Sequence, residues 1–225
     1  LPIKNSAGDY NKIDEIGMMG GNGLYSPNPV AMLNMKNSHE SSQLLANAYA
    51  EFSIYKGLKF RADYGHTNYK YESSYFRPII TQQDQSILGE SPISTLTLWN
   101  GIYKTSTANF QVDYKLDTGK HNINALLGYG TERTRNVLTT LTYEGFPNDE
   151  VLNNVASAKW SSGQNQILQK HGLNSWFTRL NYGYFNKYFA EFSFRADASS
   201  KFGPNNQWGY FPAFSAAWVA SQENF

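Results

Sequence analysis

Side chains capable of chemistry are present in this 225-residue sequence, but their spacing does not bring them together. The four histidines, His39, His66, His121 and His171, include no His-x-x-x-His pair that could hold a metal from one helix face. His66 and His121 fall in or beside strand-like stretches, where a solvated or lumen-facing ring is expected rather than a ligand. Cysteine is absent, which excludes disulfides, thiolate metal sites and a thiol nucleophile. The glycine run from Gly17 to Gly23 lacks the preceding strand, the following helix and the Gly-Lys-Ser/Thr of a phosphate loop. A calcium loop starting at Asp197 would need a closing Glu where Trp208 stands. No Gly-x-Ser-x-Gly elbow occurs. Asp14-Glu15 and Asp149-Glu150 are adjacent loop carboxylates, expected to be solvated rather than to act as acid and base. The expectation is a non-enzyme with no catalytic, cofactor-binding or metal residues. No substrate-binding residue is assigned. Tyr143, Phe146 and Trp160 have rings suited to sugars, and packing within their own loop serves equally well.

Composition narrows the class. Nineteen Lys and Arg against eighteen Asp and Glu give a formal charge of +1, without the basic excess that a nucleic-acid partner requires. Charged residues make up 16% and aromatic residues another 16%, so amphipathic rings are unusually abundant. The mean hydropathy is -0.53 and the longest apolar run, Ala216 to Ala220, is five residues, too short for a transmembrane helix. The start at Leu1 shows no signal peptide and the end at Phe225 no terminal signature, so a segment of a longer protein is expected.

The elements follow from periodicity. Residues 1–43, rich in Gly, Asn, Ser and Pro, read as a loop region, and the strands are expected over 44–225. Leu44, Ala46, Ala48, Ala50, Phe52 and Ile54 alternate with Asn47, Tyr49, Glu51 and Ser53, which specifies a long strand. After Lys56-Gly57, the residues Leu58, Phe60, Ala62 and Tyr64 alternate with Lys59, Arg61 and Asp63, completing a hairpin. The unit recurs over 108–129, turning at Asp117 to Lys120, and over 176–198, turning at Phe185 to Lys187. A seventh strand runs through Phe214, Ala216, Trp218 and Ala220. Arg61, Asp63, Arg179, Glu191, Arg195 and Asp197 share the polar faces and are expected to pair across neighbouring strands.

Short turns alternate with long polar connections, expected near 74–98, 136–170 and 199–212. This is the layout of an outer-membrane β-barrel with short periplasmic turns and long extracellular loops, which would also place the 1–43 loop region outside the cell. Tyr55, Tyr64, Tyr114, Tyr129, Tyr182, Tyr184 and Tyr188, near the expected strand ends, suit the headgroup level. The fold class expected is therefore all-β, with antiparallel membrane-spanning strands forming part of a larger barrel. The alternative is a soluble or surface all-β module, carbohydrate-binding or adhesin-like, whose rings stack on sugars.

Specific stretches carry a resemblance. They are Arg179-Leu180-Asn181-Tyr182, Lys187-Tyr188, Arg195-Ala196-Asp197-Ala198-Ser199-Ser200-Lys201-Phe202-Gly203, Trp208-Gly209-Tyr210-Phe211-Pro212-Ala213, Ala217-Trp218 and Glu223-Asn224-Phe225. Together they closely resemble the SusC/RagA family of TonB-linked outer-membrane transporters. Asn28 to Leu33, Lys56-Gly57-Leu58 and Lys120 to Gly128 resemble the preceding hairpins. Ala198 and Lys201 stand where the family commonly has Gly and Arg. The resemblance implies a middle slice of a 22-stranded type of barrel in the bacterial outer membrane. It also implies a plug and TonB-contacting segment outside this sequence, a SusD-like surface lipoprotein partner, and import of oligosaccharides or peptides. For the 199–212 connection, packing by Phe202, Trp208 and Phe211 and turn-shaping by Gly203, Gly209 and Pro212 are expected.

Overall fold

In the computed structural model, the described residues are Lys4, Ser6, 29–81, 93–148 and 154–223. The glycine run at 17–23, both carboxylate pairs and the closing Asn224-Phe225 lie outside them. Seven strands form one antiparallel sheet in sequential order: β1 Lys36–Tyr55, β2 Leu58–Arg77, β3 Thr95–Asp117, β4 His121–Glu144, β5 Trp160–Tyr184, β6 Tyr188–Ser199 and β7 Trp208–Trp218. A single helical turn, α1 Pro29–Met32, precedes them.

The strands are longer than periodicity indicates. β1 begins at Lys36 rather than Leu44, and β2 to β5 run through residues expected to be connections. Beyond Tyr64 and Tyr129 polar residues interrupt the apolar series, His66, Asn68 and Lys70 on β2 and Thr131, Arg133 and Arg135 on β4, so the alternation fades while the strands continue. β7 instead begins early, at Trp208, and stops at Trp218, with Ala220–Gln222 forming a 3-10 turn. Gly209 and Pro212 therefore sit inside a strand rather than shaping a turn. Pro212 lacks an N–H, and its pair with Phe194 falls between the hydrogen-bonded ones (Ser199 N donates to Gln207 O and Val219 N to Lys187 O), so the missing donor costs no bond to β6. Phe202, Trp208 and Phe211 are exposed at 61%, 46% and 57%, so the packing expected of them is not seen within the chain.

The connections are unequal. Residues 56–57, 118–120 and 185–187 join strands tightly, while 78–94, 145–159 and 200–207 are longer. Each tight turn has a backbone device. Gly57 sits at φ +79°, and a Cβ there would meet the carbonyl oxygen of Lys115, whose own N–H donates to Gly57 O at 2.8 Å. Gly119 sits at φ +81°, and its N–H donates to Asp117 Oδ1 at 2.8 Å. Phe185 and Asn186 both have positive φ (53° and 56°), the pairing of left-handed residues that matches strand twist in a tight hairpin.

The chain divides into two compact units. The first comprises Leu1–Ser42, Lys70–Ile102 and Val137–Ile167. It holds a small core in which Phe76 and Phe146 meet edge to face at 5.3 Å with Leu96 alongside, flanked by Leu98, Tyr143 and Ala158. Ser94, fully buried there, accepts from Phe146 N at its hydroxyl (3.0 Å) and from Gly145 N at its carbonyl (3.1 Å). Phe146 is thus core, and Trp160 is tied to its own hairpin by donating to Glu144 Oε2 at 3.0 Å.

The second unit comprises Gln43–Tyr69, Tyr103–Asn136 and Leu168–Phe225. Its aliphatic and aromatic side chains are mostly uncovered, with Phe52 at 59% and Phe214 at 78% exposure. On the opposite face, ring packing depends on a glycine: Phe177 lies where a Cβ on Gly128 would stand, 2.2 Å from it.

The turns make a differential prediction. Gly119→Ala, with open space around its Cβ, should cost about 1–2 kcal/mol for left-handed backbone alone. Gly57→Ala should cost a further 1–3 kcal/mol or so because the new methyl overlaps the Lys115 backbone. Urea unfolding of the two variants in the same detergent would measure the difference, and equal losses would contradict the close approach.

Candidate functional site

The arrangement that bears on function is a pair of faces on one sheet, best defined where the register is explicit. On β6, Tyr188, Ala190, Phe192, Phe194, Ala196 and Ala198 share one face. They stand beside Tyr184, Tyr182, Leu180, Thr178, Trp176 and Asn174 of β5 and beside Trp218, Ala216, Phe214, Pro212, Tyr210 and Trp208 of β7. None of these side chains is charged. At the turn end, Tyr184, Tyr188 and Trp218 form one row across three strands. At the far end, Trp176 and Tyr210 flank Ala196, and Trp208 lies beside Ala198. The ten residue steps from Tyr188 to Ala198 cover about 33 Å of strand. At a tilt of about 40° that is about 25 Å along a membrane normal, the height of the apolar band of an outer-membrane barrel.

Rings consolidate both edges of the band. His121 Nδ1 and Tyr182 Oη are 2.8 Å apart, and the His121 ring also approaches that of Tyr184 at 5.1 Å. At the far edge Tyr129 meets Trp176 at 4.8 Å, and its hydroxyl donates to Asn174 Oδ1 at 3.2 Å. Tyr64 and Tyr129 therefore do not sit near strand ends as expected. They lie within β2 and β4, because both strands run on past them.

The other face is polar and locally neutralised. Arg61 donates to both carboxylate oxygens of Asp63, with the shortest contact at 2.7 Å, and its guanidinium lies 5.0 Å from the Tyr49 ring centre. Lys59 pairs with Glu51 at 2.8 Å. Arg195 pairs with Asp197 at 2.8 Å and donates to Ser175 at 3.2 Å. Arg179 and Glu191 are 3.9 Å apart. The expected cross-strand pairing thus holds for Arg179 with Glu191 alone of these three. Arg61–Asp63 and Arg195–Asp197 pair along their own strands, since residues two apart share a face. Of the histidines named from the sequence, His66 and His171 line one hollow that holds no Asp or Glu. His39 meets Ser73, His66 meets Ser106 and His121 meets Tyr182.

One cluster had no signal in the periodicity. Beyond β7, the carboxylate of Glu223 accepts from Lys187 Nζ at 3.3 Å, from Trp218 Nε1 at 3.3 Å and from the Tyr188 hydroxyl. It ties the β5–β6 turn to the end of β7, assisted by Val219 N donating to Lys187 O at 2.8 Å. The Tyr188 hydrogen bond, then those of Trp218 and Lys187, hold the Glu223 carboxyl below the ordinary carboxylate range.

No family model matches the sequence. Curated proteins and solved structures do. The chain is 26% identical over 226 residues to TonB-dependent receptor P3 of Formosa agariphila, covering 96% of this chain and 22% of that protein. Over 62 residues it is 40% identical to TonB-dependent receptor SusC of Bacteroides thetaiotaomicron, covering 28% of this chain and 6% of that one. The structure of the RagAB peptide transporter superposes with a TM-score of 0.76 at 24% identity, over 88% of this chain and 22% of the other. The chain is SusC/RagA-like. Its seven-stranded antiparallel sheet matches part of the outer-membrane barrel of such transporters. It spans about a fifth of the length of the curated relatives that match nearly all of it.

Glu223 gives this SusC/RagA-like sheet a testable pH dependence. A carboxyl whose folded pKa is depressed stabilises the fold fully above its unfolded value. That contribution falls away as pH drops toward the folded value. Between those two values, unfolding midpoints should therefore decline with acidification. Glu223→Gln should flatten that part of the profile, and an unchanged slope in the variant would show that Glu223 does not contribute.

Proposed function

We propose that this chain supplies barrel wall to a TonB-dependent transporter of the bacterial outer membrane. The carrying observation is the uncharged band on β5 to β7, bounded by the Tyr184–Tyr188–Trp218 row and, about 20–25 Å away along the membrane normal, by Trp176, Tyr210 and Trp208. Its reverse face bears the paired charges Arg179–Glu191 and Arg195–Asp197. In water, so broad an uncovered apolar face would be a liability; in a bilayer it is the outer wall. The polar face then lines the lumen, and the protein's role is gated passage rather than catalysis.

The remaining parts of this reading rest on the resemblance of the sequence to the SusC/RagA family and on the relatives' names. The cargo is an oligomeric nutrient, glycan or peptide, with the RagAB structures described as a peptide transporter and importer. A SusD-like surface lipoprotein covers the lumen, and TonB acts through a plug outside this chain. Residues 56–57, 118–120 and 185–187 are the periplasmic turns, and the 78–94, 145–159 and 200–207 connections face outward from the cell.

Two experiments test this. Phe192 lies near the middle of the band and meets Phe214 at 4.9 Å, whereas Ser193 faces the opposite way, between Arg179 and Ala213. Phe192→Arg should cost about 2–4 kcal/mol and Ser193→Arg less. In liposomes, Cys at position 192 should react with a lipid-confined probe and not with a charged thiol reagent. Protection of position 192 from both reagents would mean a protein-packed core and would end the barrel reading. For orientation, a tag inserted after Asn148, in the β4–β5 connection, should be reachable on intact cells, and one at Gly119 should not. Gly163 is unsuited to such a tag because it lies within β5. The reverse labelling pattern would invert the topology.

A further inference from the structure

Past the far aromatic row, the outward face changes character. A hollow of about 590 Å³ opens there within the second unit, and its lining includes His66, Lys104, Arg133, Arg135, Lys170 and His171 but no carboxylate. The strand alternation fixes which face the key cations share. Lys170 is four residues from Asn174 on β5, on the face that carries Trp176. Arg133 and Arg135 continue the face of Tyr129 on β4. Lys104 continues that of Ser106 on β3, and Ser106 meets His66 of β2 at 2.9 Å. These charges thus extend the surface that forms the apolar band, on the side away from the lumen.

The site shows preorganisation. Arg133 lies across β5, with Nη1 donating to Asn174 Oδ1 at 3.1 Å and to Leu173 O at 3.2 Å. Asn174 Oδ1 also accepts from Tyr129 and Thr131, so one amide oxygen joins the guanidinium to the aromatic rim. Gly172 leaves the space: a Cβ there would stand 2.8 Å from Arg133 Nη1. Ser200 fixes this stretch of β5 by accepting from Gly172 N at 2.8 Å, while its own N–H donates to Gly172 O at 2.9 Å. Among the described residues, Lys104, Arg135 and Lys170 have no ion-pair partner, in contrast to the neutralised lumen face.

We propose that this hollow binds the phosphate groups of a phosphorylated lipid headgroup in the outer leaflet. Guanidinium forks and ammonium groups free of competing carboxylates suit phosphate oxygens. Continuity with the apolar band brings the acyl chains of such a lipid alongside Phe194, Ala196 and Ala198 while its phosphates reach the cations. A lumenal cargo would approach from the opposite face, and the apolar band beside the hollow favours an anion that carries acyl chains over a free one. The inference rests on the barrel reading above.

The test uses the full-length protein carrying this segment, in nanodiscs of uncharged lipid doped with bisphosphorylated lipid A or with its dephosphorylated form. Retention of the phosphorylated form should be strongly preferred. The triple variant Arg133→Gln, Arg135→Gln, Lys170→Gln should weaken it by about a hundredfold. Removing the same charge at the turn end, by Lys56→Gln, Lys115→Gln and Lys120→Gln, should leave retention unchanged. Equal retention of both lipids, or full retention by the first triple variant, would overturn the proposal. Inorganic phosphate that binds without any preference for the phosphorylated lipid would overturn it too. Cys labelling at position 192 in the same nanodiscs keeps the two readings apart. Lipid-facing labelling without phosphate preference retains the barrel and rejects the site, whereas protected labelling rejects both.

Discussion

Everything in this sheet depends on the strict opposition of neighbouring side chains along a paired strand. A hydrocarbon environment leaves no water for backbone groups, so each N–H and C=O must find its partner in the adjoining strand. Only the faces then remain free to vary, and they vary with period two. Phe192 and Ser193 are covalent neighbours, yet one joins Leu180 and Phe214 while the other joins Arg179 and Ala213. A one-residue slip would move Arg195 into the row of Thr178 and Pro212 or that of Trp176 and Tyr210. Register is therefore a matter of solvent choice, and the tight turns enforce it.

Those turns work by excluding alternatives. Gly57 leaves no room for a side chain against Lys115, and the Phe185-Asn186 pair takes left-handed backbone that other turn geometries would not supply. Glu223 adds a restraint from outside the strands by holding Lys187, Tyr188 and Trp218 together. The Tyr184–Tyr188–Trp218 row is thus fixed at one end by hairpin geometry and at the other by a carboxylate. This row is also where the chain leaves the apolar band.

Much of this was legible in the sequence. The alternation from Leu44 to Ile54 and from Tyr188 to Ala198 exposed the strands, their faces and the hairpin turns, because one face there is uniformly apolar. Legibility ended where that contrast ended. After Tyr64 and Tyr129 polar residues interrupt the apolar series, the period is lost, and residues expected to be loop continue in the strands. Trp208 to Pro212 misled in another way, since Gly209 and Pro212 read as turn formers although Pro212 stands opposite Phe194 in a pair that asks no N–H of it. The convergence on Glu223 had no local pattern at all: its partners come from a turn and two strand ends. The basic hollow was hidden by its membership in an otherwise apolar series, where Arg133 and Arg135 look like the end of a strand rather than part of a site.

The contrast between the two sets of charges explains why one face is inert and the other is not. On the lumen side, Arg61 and Arg195 each meet an aspartate two residues along the same strand, a spacing that alternation makes available without help from any neighbour. Each such pair cancels its charge locally. On the outward side beyond Trp176 the same alternation places Arg133, Arg135 and Lys170 with hydroxyls, amides and imidazoles but no acid in the hollow they line. Their field is left standing at the edge of a hydrocarbon band, where isolated cations are costly unless anions meet them. In the barrel reading, the same alternation that pairs Arg61 and Arg195 with aspartates on one face would leave the cations of the other face for an anionic lipid to neutralise.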